Sequence, residues 1–205
     1  MKYLRPFIIL ALLYAFSLNM YAQTNEDASP KKNIKPFRIG VKIGLPTIAT
    51  INAEYVTPLL DDRVAFTVDY MSLSPTIEDV KISYNNFEIG TNIYLGNKGS
   101  GLYGGISYFS FGGEGTFLDT EFDDGIVGDG VGDIKFNTVN LKLGVKFGRT
   151  LYTRIEVGYG FGDIPEFIEV TSADGNSNTF EEIPDIPGLS SSGLFTANIG
   201  FGLQF

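Results

Sequence analysis

Carboxylate side chains are the only concentrated chemical groups in this chain of 205 residues. Fourteen of its 24 acidic residues fall in two segments, residues 112–133 and 163–193, and neither segment contains Lys or Arg. Oxygen ligands at this density suit Ca²⁺ and Mg²⁺. Neither segment matches an EF-hand loop, however, because Asp124 and Thr179 stand where that loop needs Gly. We therefore predict no defined metal site, and expect solvated acidic loops with at most weak binding of divalent cations.

Residues for catalysis are missing from the composition. The chain has no His and no Cys, and so lacks the commonest general base, the thiol nucleophile and the usual zinc ligands. A lipid-modifying enzyme that transfers or removes acyl groups would normally need a His beside a Ser. We predict no catalytic residues and no cofactor. The net charge of −9 argues against nucleic acid as a partner.

Alternation of apolar and polar residues dominates the rest of the chain. In the first such segment, Arg38, Gly40 and Lys42 alternate with apolar residues. A period of two is the signal of a β-strand, and no segment has a helical period. We predict eight strands, at residues 37–45, 47–56, 63–73, 80–95, 101–111, 134–147, 151–162 and 194–205.

The lengths of the connections between these strands also alternate. The second, fourth and sixth connections are short, and the third, fifth and seventh are longer, whereas the first, around Pro46, is tight and departs from the pattern. Outer-membrane barrels have short periplasmic turns and longer outer loops. The pattern predicts an all-β, eight-stranded antiparallel up-and-down transmembrane β-barrel with both termini on the periplasmic side. Asp174-Gly175-Asn176 has the composition of a hairpin tip, which suggests that part of the last loop extends the barrel as a β-ribbon.

Charge and glycine on the polar faces indicate which side of the barrel meets lipid. The apolar faces are almost unbroken, as contact with lipid requires, so we predict that they point outward. The alternative is a soluble lipocalin-like barrel, in which the apolar faces would point inward. A hairpin turning about Pro46 places Arg38 opposite Glu54, and one turning about Arg149 places Lys142 opposite Glu156. We predict these as ion pairs in a filled interior. The inward bases are Arg38, Lys42, Lys142, Lys146 and Arg154, and the inward acids are Glu54, Asp69, Glu88 and Glu156.

The two ends of the chain carry export signals. Residues 1–22 have the layout of a secretory signal peptide, with Lys2 and Arg5 before a short apolar run. We expect cleavage before Gln23, a periplasmic linker over residues 23–36 and a barrel over residues 37–205. The last strand ends in Phe205, with Phe201 and Leu203 on the same face. This ending resembles the terminal assembly signal of bacterial outer-membrane barrels.

Together, the leader, the eight segments, the loop lengths and the terminal Phe resemble the small eight-stranded outer-membrane barrels, such as the OmpA transmembrane domain and OmpX. The resemblance implies an outer-membrane location, contact with outer-membrane lipids and insertion by the barrel-assembly machinery. We expect a non-catalytic structural or surface-interaction role through the acidic loops, with a larger outer-membrane complex as a candidate partner. A narrow, porin-like conduit for small or apolar solutes is the alternative, and a lipid-modifying enzyme is less favoured.

Overall fold

The computed structural model describes residues 34–205, except positions 75, 78–79, 97, 124, 173 and 183–187. The predicted signal peptide, residues 1–22, and residues 23–33 of the predicted linker lie outside the described part. Where the chain is described it forms twelve β-strands. These are β1 (Phe37–Leu45), β2 (Ala49–Val56), β3 (Val64–Leu73), β4 (Thr76–Ile77), β5 (Val80–Tyr94), β6 (Gly101–Glu121), β7 (Val127–Gly148), β8 (Leu151–Phe161), β9 (Phe167–Ser172), β10 (Asn178–Glu182), β11 (Leu189–Ser190) and β12 (Gly193–Gln204).

Eight of these strands close into an antiparallel barrel. β1, β2, β3, β5, β6, β7, β8 and β12 each pair with the next, and β12 returns to pair with β1. Beside the last ladder, the Phe205 N–H donates to the Phe37 carbonyl oxygen at 2.9 Å. The predicted fold class is confirmed. No helix among the described residues is long and apolar enough to cross a membrane.

Burial along the barrel strands is the reverse of that in a soluble barrel. Apolar residues at outward positions are exposed, for example Ile43 at 56% and Leu143 at 60%. Charged residues at inward positions are buried, and Arg154 is only 1% exposed. Successive side chains of a strand point to opposite faces, so the alternation in the sequence becomes an apolar outside and a charged lumen. This is the arrangement of a transmembrane β-barrel.

The two ends of the barrel differ. One end, which we call the turn end, carries the beginning of β1, the end of β12 and the connections β2–β3, β5–β6 and β7–β8. At the other, the ribbon end, β6 and β7 continue as a hairpin to Glu121 and Val127. The prediction of a loop over residues 112–133 is therefore wrong. Glycines and acids interrupt the apolar alternation there, but the hydrogen bonds of an antiparallel ladder join backbone groups and need no apolar side chain.

Candidate functional site

Nine charged side chains of the described residues occupy the lumen. They are the nine that the alternation of the sequence assigns to inward positions, and each is at most 9% exposed. Buried charges are costly unless they are paired and hydrogen-bonded, so the contacts among them determine whether the barrel is stable. Five are the bases Arg38, Lys42, Lys142, Lys146 and Arg154, and four are the acids Glu54, Asp69, Glu88 and Glu156.

Glu54 lies between two arginines. Its Oε1 atom pairs with Arg38 Nη1 and its Oε2 atom pairs with Arg154 Nη2. The Tyr94 hydroxyl donates to the same carboxylate, 2.9 Å from Oε1. Asn92 Nδ2 donates to Oε2 at 3.3 Å. One carboxylate therefore neutralises charge on two guanidinium groups.

The lysines of the network are paired differently. Lys42 Nζ lies 2.6 Å from Asp69 Oδ2 and 3.2 Å from Glu156 Oε1. Lys142 Nζ lies 3.6 Å from the same Glu156 oxygen and also pairs with Glu88. Each of these two lysines therefore contacts two carboxylates. If either carboxylate were lost, the lysine would still have a partner.

The two predicted inner pairs are placed differently by their ladders. Arg38 stands directly opposite Glu54 between β1 and β2, in the register predicted for that hairpin. Lys142 does not stand opposite Glu156 between β7 and β8, because its cross-strand partner is Gly158. The predicted register of the second hairpin is wrong by two residues.

The turn between β7 and β8 accounts for this shift. Its ladder ends with Gly148 opposite Tyr152, which centres the reversal on Thr150 rather than on Arg149. Gly148 has a φ of +105°, a conformation open to glycine, where the chain leaves β7. A shift of two residues keeps every side chain on its own face, because the side-chain period of a strand is two. Lys142 and Glu156 therefore both face the lumen, as diagonal rather than opposite neighbours.

Three buried lumen tyrosines, Tyr94, Tyr103 and Tyr152, were not predicted from the sequence. Tyr94 and Tyr103 are almost fully buried, with ring centroids 4.9 Å apart. The Tyr103 hydroxyl donates to Glu156 Oε2 at 2.7 Å. Its ring covers Gly144, its cross-strand partner, where a Cβ would collide with the ring. The sequence contains one indication that Tyr94 faces the lumen. It follows Asn92 by two residues and therefore lies on the polar face of the same strand.

Apolar side chains meet across the lumen at the ribbon end. Phe109, Phe136 and Leu194 come from three barrel strands and form one buried cluster with Ile164. Ile164 belongs to the connection after β8, and its N–H donates to the Ser191 carbonyl oxygen at 3.0 Å. The connection therefore folds over the lumen. This cluster could not be predicted from the sequence, because the alternation of apolar and polar residues does not show that a loop residue turns inward.

Beyond the barrel, the acidic segments form part of a sheet in which β5, β6, β7, β9 and β10 lie side by side. Apolar residues on its outward side are exposed, among them Val131 at 42%, Phe167 at 55% and Phe180 at 64%. Phe180 stands opposite Glu169, and Phe167 opposite Glu182. Acids thus alternate with exposed apolar groups. We call this surface the ribbon face, comprising Asp129, Val131, Asp133, Phe167, Glu169, Phe180 and Glu182.

The β9–β10 hairpin turns at the predicted Asp174-Gly175-Asn176 sequence. Gly175 has a φ of +74°, as such a turn requires. Hydrogen bonds from Ser172 and Asn176 lower the pKa of Asp174 to about 2. On β7, a hydrogen bond to Asp133, at 2.6 Å, raises the pKa of Lys135. Among the residues that the structure describes, no three acidic side chains converge in a way that could hold a metal ion.

The outward side of the last strand is apolar at its end. Phe201, Leu203 and Phe205 are exposed at 55%, 49% and 62%. They flank β1, where Leu203 stands opposite Ile39 and the Phe205 ring lies 6.4 Å from that of Phe37. Their role as an assembly signal stays a prediction.

Comparisons with known proteins give little further information. No known protein family matches the chain, and a search of curated proteins finds no match. Among solved structures the chain is similar to the crystal structure of CarO from Acinetobacter baumannii, with 13% sequence identity and a TM-score of 0.48. That match covers 85% of this chain and 100% of the other. It carries no conclusion about function, and membership of the OmpA and OmpX group is not confirmed.

Proposed function

We propose that this chain is a non-catalytic integral barrel of a bacterial outer membrane, and that it holds the ribbon face outside the membrane for contact with partners. The observation that carries the proposal is the reversed burial of the barrel. Apolar residues such as Ile43 and Leu143 are 56% and 60% exposed outside, while an ion network is buried inside. A barrel with this surface is stable only where lipid covers it.

The usual orientation of such barrels assigns the turn end to the periplasm and the ribbon end to the outside. The outer membrane lipids then surround the apolar belt, and the barrel-assembly machinery inserts the chain, with Phe201, Leu203 and Phe205 as its recognition signal. Residues 1–22 direct export in this proposal, and residues 23–36 form a periplasmic linker.

The ribbon face supports a role in surface interaction. Along β7, the apolar belt ends at Val139, and Val131 lies eight residues further, roughly 26 Å along the strand. Phe180 is 64% exposed at this level, among carboxylates. Exposed aromatic residues in water are a common mark of protein contact sites. A rigid sheet also presents them without the entropic cost of ordering a loop on binding.

The lumen gives less support to a conduit. Eight strands enclose only enough room for side chains, and here Arg154, Tyr103 and Lys142 extend into that space. The cluster around Ile164 covers the ribbon end. Both features oppose the passage of solutes through the barrel.

Isolation from native membranes tests the proposal. The tagged chain should be extracted only with detergent and should migrate differently before and after boiling. Any partner that co-purifies with the ribbon should be lost from the Phe167→Ser/Phe180→Ser variant. The matched control is Leu60→Ser, which changes a side chain that is 67% exposed at the turn end. A product soluble without detergent contradicts the barrel in a membrane, and an identical set of partners in all three proteins contradicts the role of the ribbon face.

A further inference from the structure

Lys146 differs from the other lumen bases in its partners. Each of the other four bases lies within ion-pair distance of at least one buried carboxylate. Among the residues that the structure describes, no carboxylate pairs with Lys146, although its side chain is buried with 1% exposure. The described lumen residues include five bases and four acids, so the ammonium form of Lys146 has no carboxylate of its own to compensate it.

The immediate neighbour of Lys146 makes the imbalance worse. Arg154 stands directly opposite Lys146 in the β7–β8 ladder. Both cations also lie near the Tyr152 ring, with Lys146 Nζ at 5.2 Å and Arg154 Cζ at 5.7 Å from its centroid. Like charges directly opposite each other destabilise a sheet, and an unpaired buried charge is more costly still. Glu54 offsets Arg154 but is shared with Arg38.

The hydrogen-bond donors around Lys146 and Arg154 also outnumber the acceptors. Lys146 Nζ donates to Gln204 Oε1 at 2.9 Å, which leaves two of its three N–H groups. Arg154 Nε and Nη1 are buried without a partner among the described residues, and so is Arg38 Nε. Buried donors are nearly always satisfied in folded proteins. Donors that are themselves charged make their strongest bonds to an anion.

The backbone leaves space beside Lys146. On the β6 side its cross-strand partner is Gly101, the first residue of that strand. A Cβ built on Gly101 would meet nothing within 4 Å. Gly101 lies at the turn end and is partly exposed, so this space is accessible from solution.

We propose that the turn end of the lumen binds one small monovalent anion, chloride under ordinary conditions, beside Lys146 on the side of Gly101. The anion accepts hydrogen bonds from the two remaining N–H groups of Lys146 Nζ, and the positive charge of Arg154 on the neighbouring strand adds to the attraction. With Lys146 protonated, the anion balances the five bases and four acids among the described lumen residues. A halide fits the space that a missing side chain leaves beside Gly101, whereas a large organic anion does not. This site is independent of the ribbon face and of its partners.

Bromide diffraction tests the site directly. Crystals of the purified barrel grown or soaked in bromide should show anomalous density within hydrogen-bonding reach of Lys146 Nζ. The Lys146→Met variant should lose that density, because the cation that holds the anion is removed. Density elsewhere only, or density that persists in Lys146→Met, overturns the proposal as adventitious binding.

Thermal unfolding in detergent supplies a second test that needs no crystal. At constant ionic strength, replacing gluconate with chloride should raise the unfolding temperature of the unsubstituted chain by a few degrees, because a ligand of the folded state stabilises it. Lys146→Met should unfold at the same temperature in both salts. Lys142→Met is the matched control, since Lys142 has carboxylate partners, and it should keep the response to chloride. If the unsubstituted chain unfolds at the same temperature in both salts, no anion compensates Lys146 and the proposal is wrong.

Discussion

Lys142 Nζ lies 3.6 Å from Glu156 Oε1, although the ladder sets Lys142 opposite Gly158. The contact is therefore diagonal, between two residues of paired strands that the β7–β8 ladder does not set opposite each other. Lys42 of β1 reaches the same Glu156 oxygen at 3.2 Å. The lumen charges thus form a network across the barrel, in which removal of one member has an effect that depends on what its partners retain.

Removal of the Glu54 charge should therefore be more harmful than removal of the Glu156 charge. Glu54→Gln leaves Arg38 and Arg154 buried without a carboxylate, a loss of about 3–5 kcal/mol. After Glu156→Gln, Lys42 keeps Asp69 and Lys142 keeps Glu88. Equilibrium unfolding in urea, in lipid vesicles or detergent, measures both variants. If Glu156→Gln destabilises the barrel as much as Glu54→Gln does, the assignment of partners is wrong.

A methyl group added at Gly144 should disturb the lumen, whereas one added at Gly104 should not. A Cβ on Gly144 collides with the ring of Tyr103, whose hydroxyl donates to Glu156 Oε2 at 2.7 Å. We expect Gly144→Ala to cost about 1–3 kcal/mol of unfolding free energy through overpacking. Gly104 faces outward on the neighbouring strand, and the nearest atom to its Cβ is 3.9 Å away. Gly104→Ala should be neutral or slightly stabilising, and equal losses in the two variants would contradict the orientation of Tyr103.

The inward and outward residues of the barrel strands could be predicted because successive side chains of a pleated strand point to opposite faces. Arg38 and Lys42 therefore point inward as the alternation indicates. Other features were beyond such reasoning. The β7–β8 register depends on which residue begins the turn, and Gly148 permits a reversal that the charge pattern does not reveal. Tyrosine suits either face of a barrel strand. The side on which Tyr94 and Tyr103 lie therefore depends only on the inward and outward alternation along their strands.

The extension of β6 and β7 at the ribbon end and the Ile164 cluster also could not be predicted from the alternation of apolar and polar residues. Residues 112–121 contain four glycines or acids at positions 112–115, which ends the apolar alternation used to recognise a strand. Their pairing with β7 is nonetheless continuous to Phe117. Ile164 reaches the lumen only because its connection folds back over the barrel. Both features depend on backbone pairing and loop geometry, which side-chain periodicity does not encode.

Acid should loosen the tip of the β9–β10 hairpin. Hydrogen bonds from Ser172 and Asn176 lower the pKa of Asp174 to about 2 in the folded chain, below the value of about 3.9 for an unfolded Asp. The stabilising effect of the charged form is thus complete above about pH 4 and is lost as the pH falls towards 2. Carbon-detected NMR titration of Asp174 should give the lowered pKa, and Asp174→Ala should speed hydrogen exchange at the Asn176 amide. A normal pKa for Asp174 would show that these hydrogen bonds do not form in solution.

The filled lumen should not conduct. Lys42, Lys142 and Arg154 extend into it, and the cluster around Ile164 covers one end. In planar bilayers we expect no large, reproducible conductance steps at voltages that leave the barrel intact. Stable single-channel steps, abolished when the chain is heat-unfolded before addition, would instead favour the conduit.

The lipid contact of the apolar belt is the central claim, and the absence of Trp from the chain makes it measurable. Leu143 and Val131 lie on the same side of β7, 60% and 42% exposed, one within the belt and one on the ribbon face. Each is replaced by Trp, and the variants are reconstituted in vesicles of brominated phospholipid. Leu143→Trp fluorescence should be strongly quenched relative to unbrominated vesicles, while Val131→Trp fluorescence should be unchanged. Equal fluorescence of Leu143→Trp in the two kinds of vesicle would show that the outside of the barrel does not face lipid.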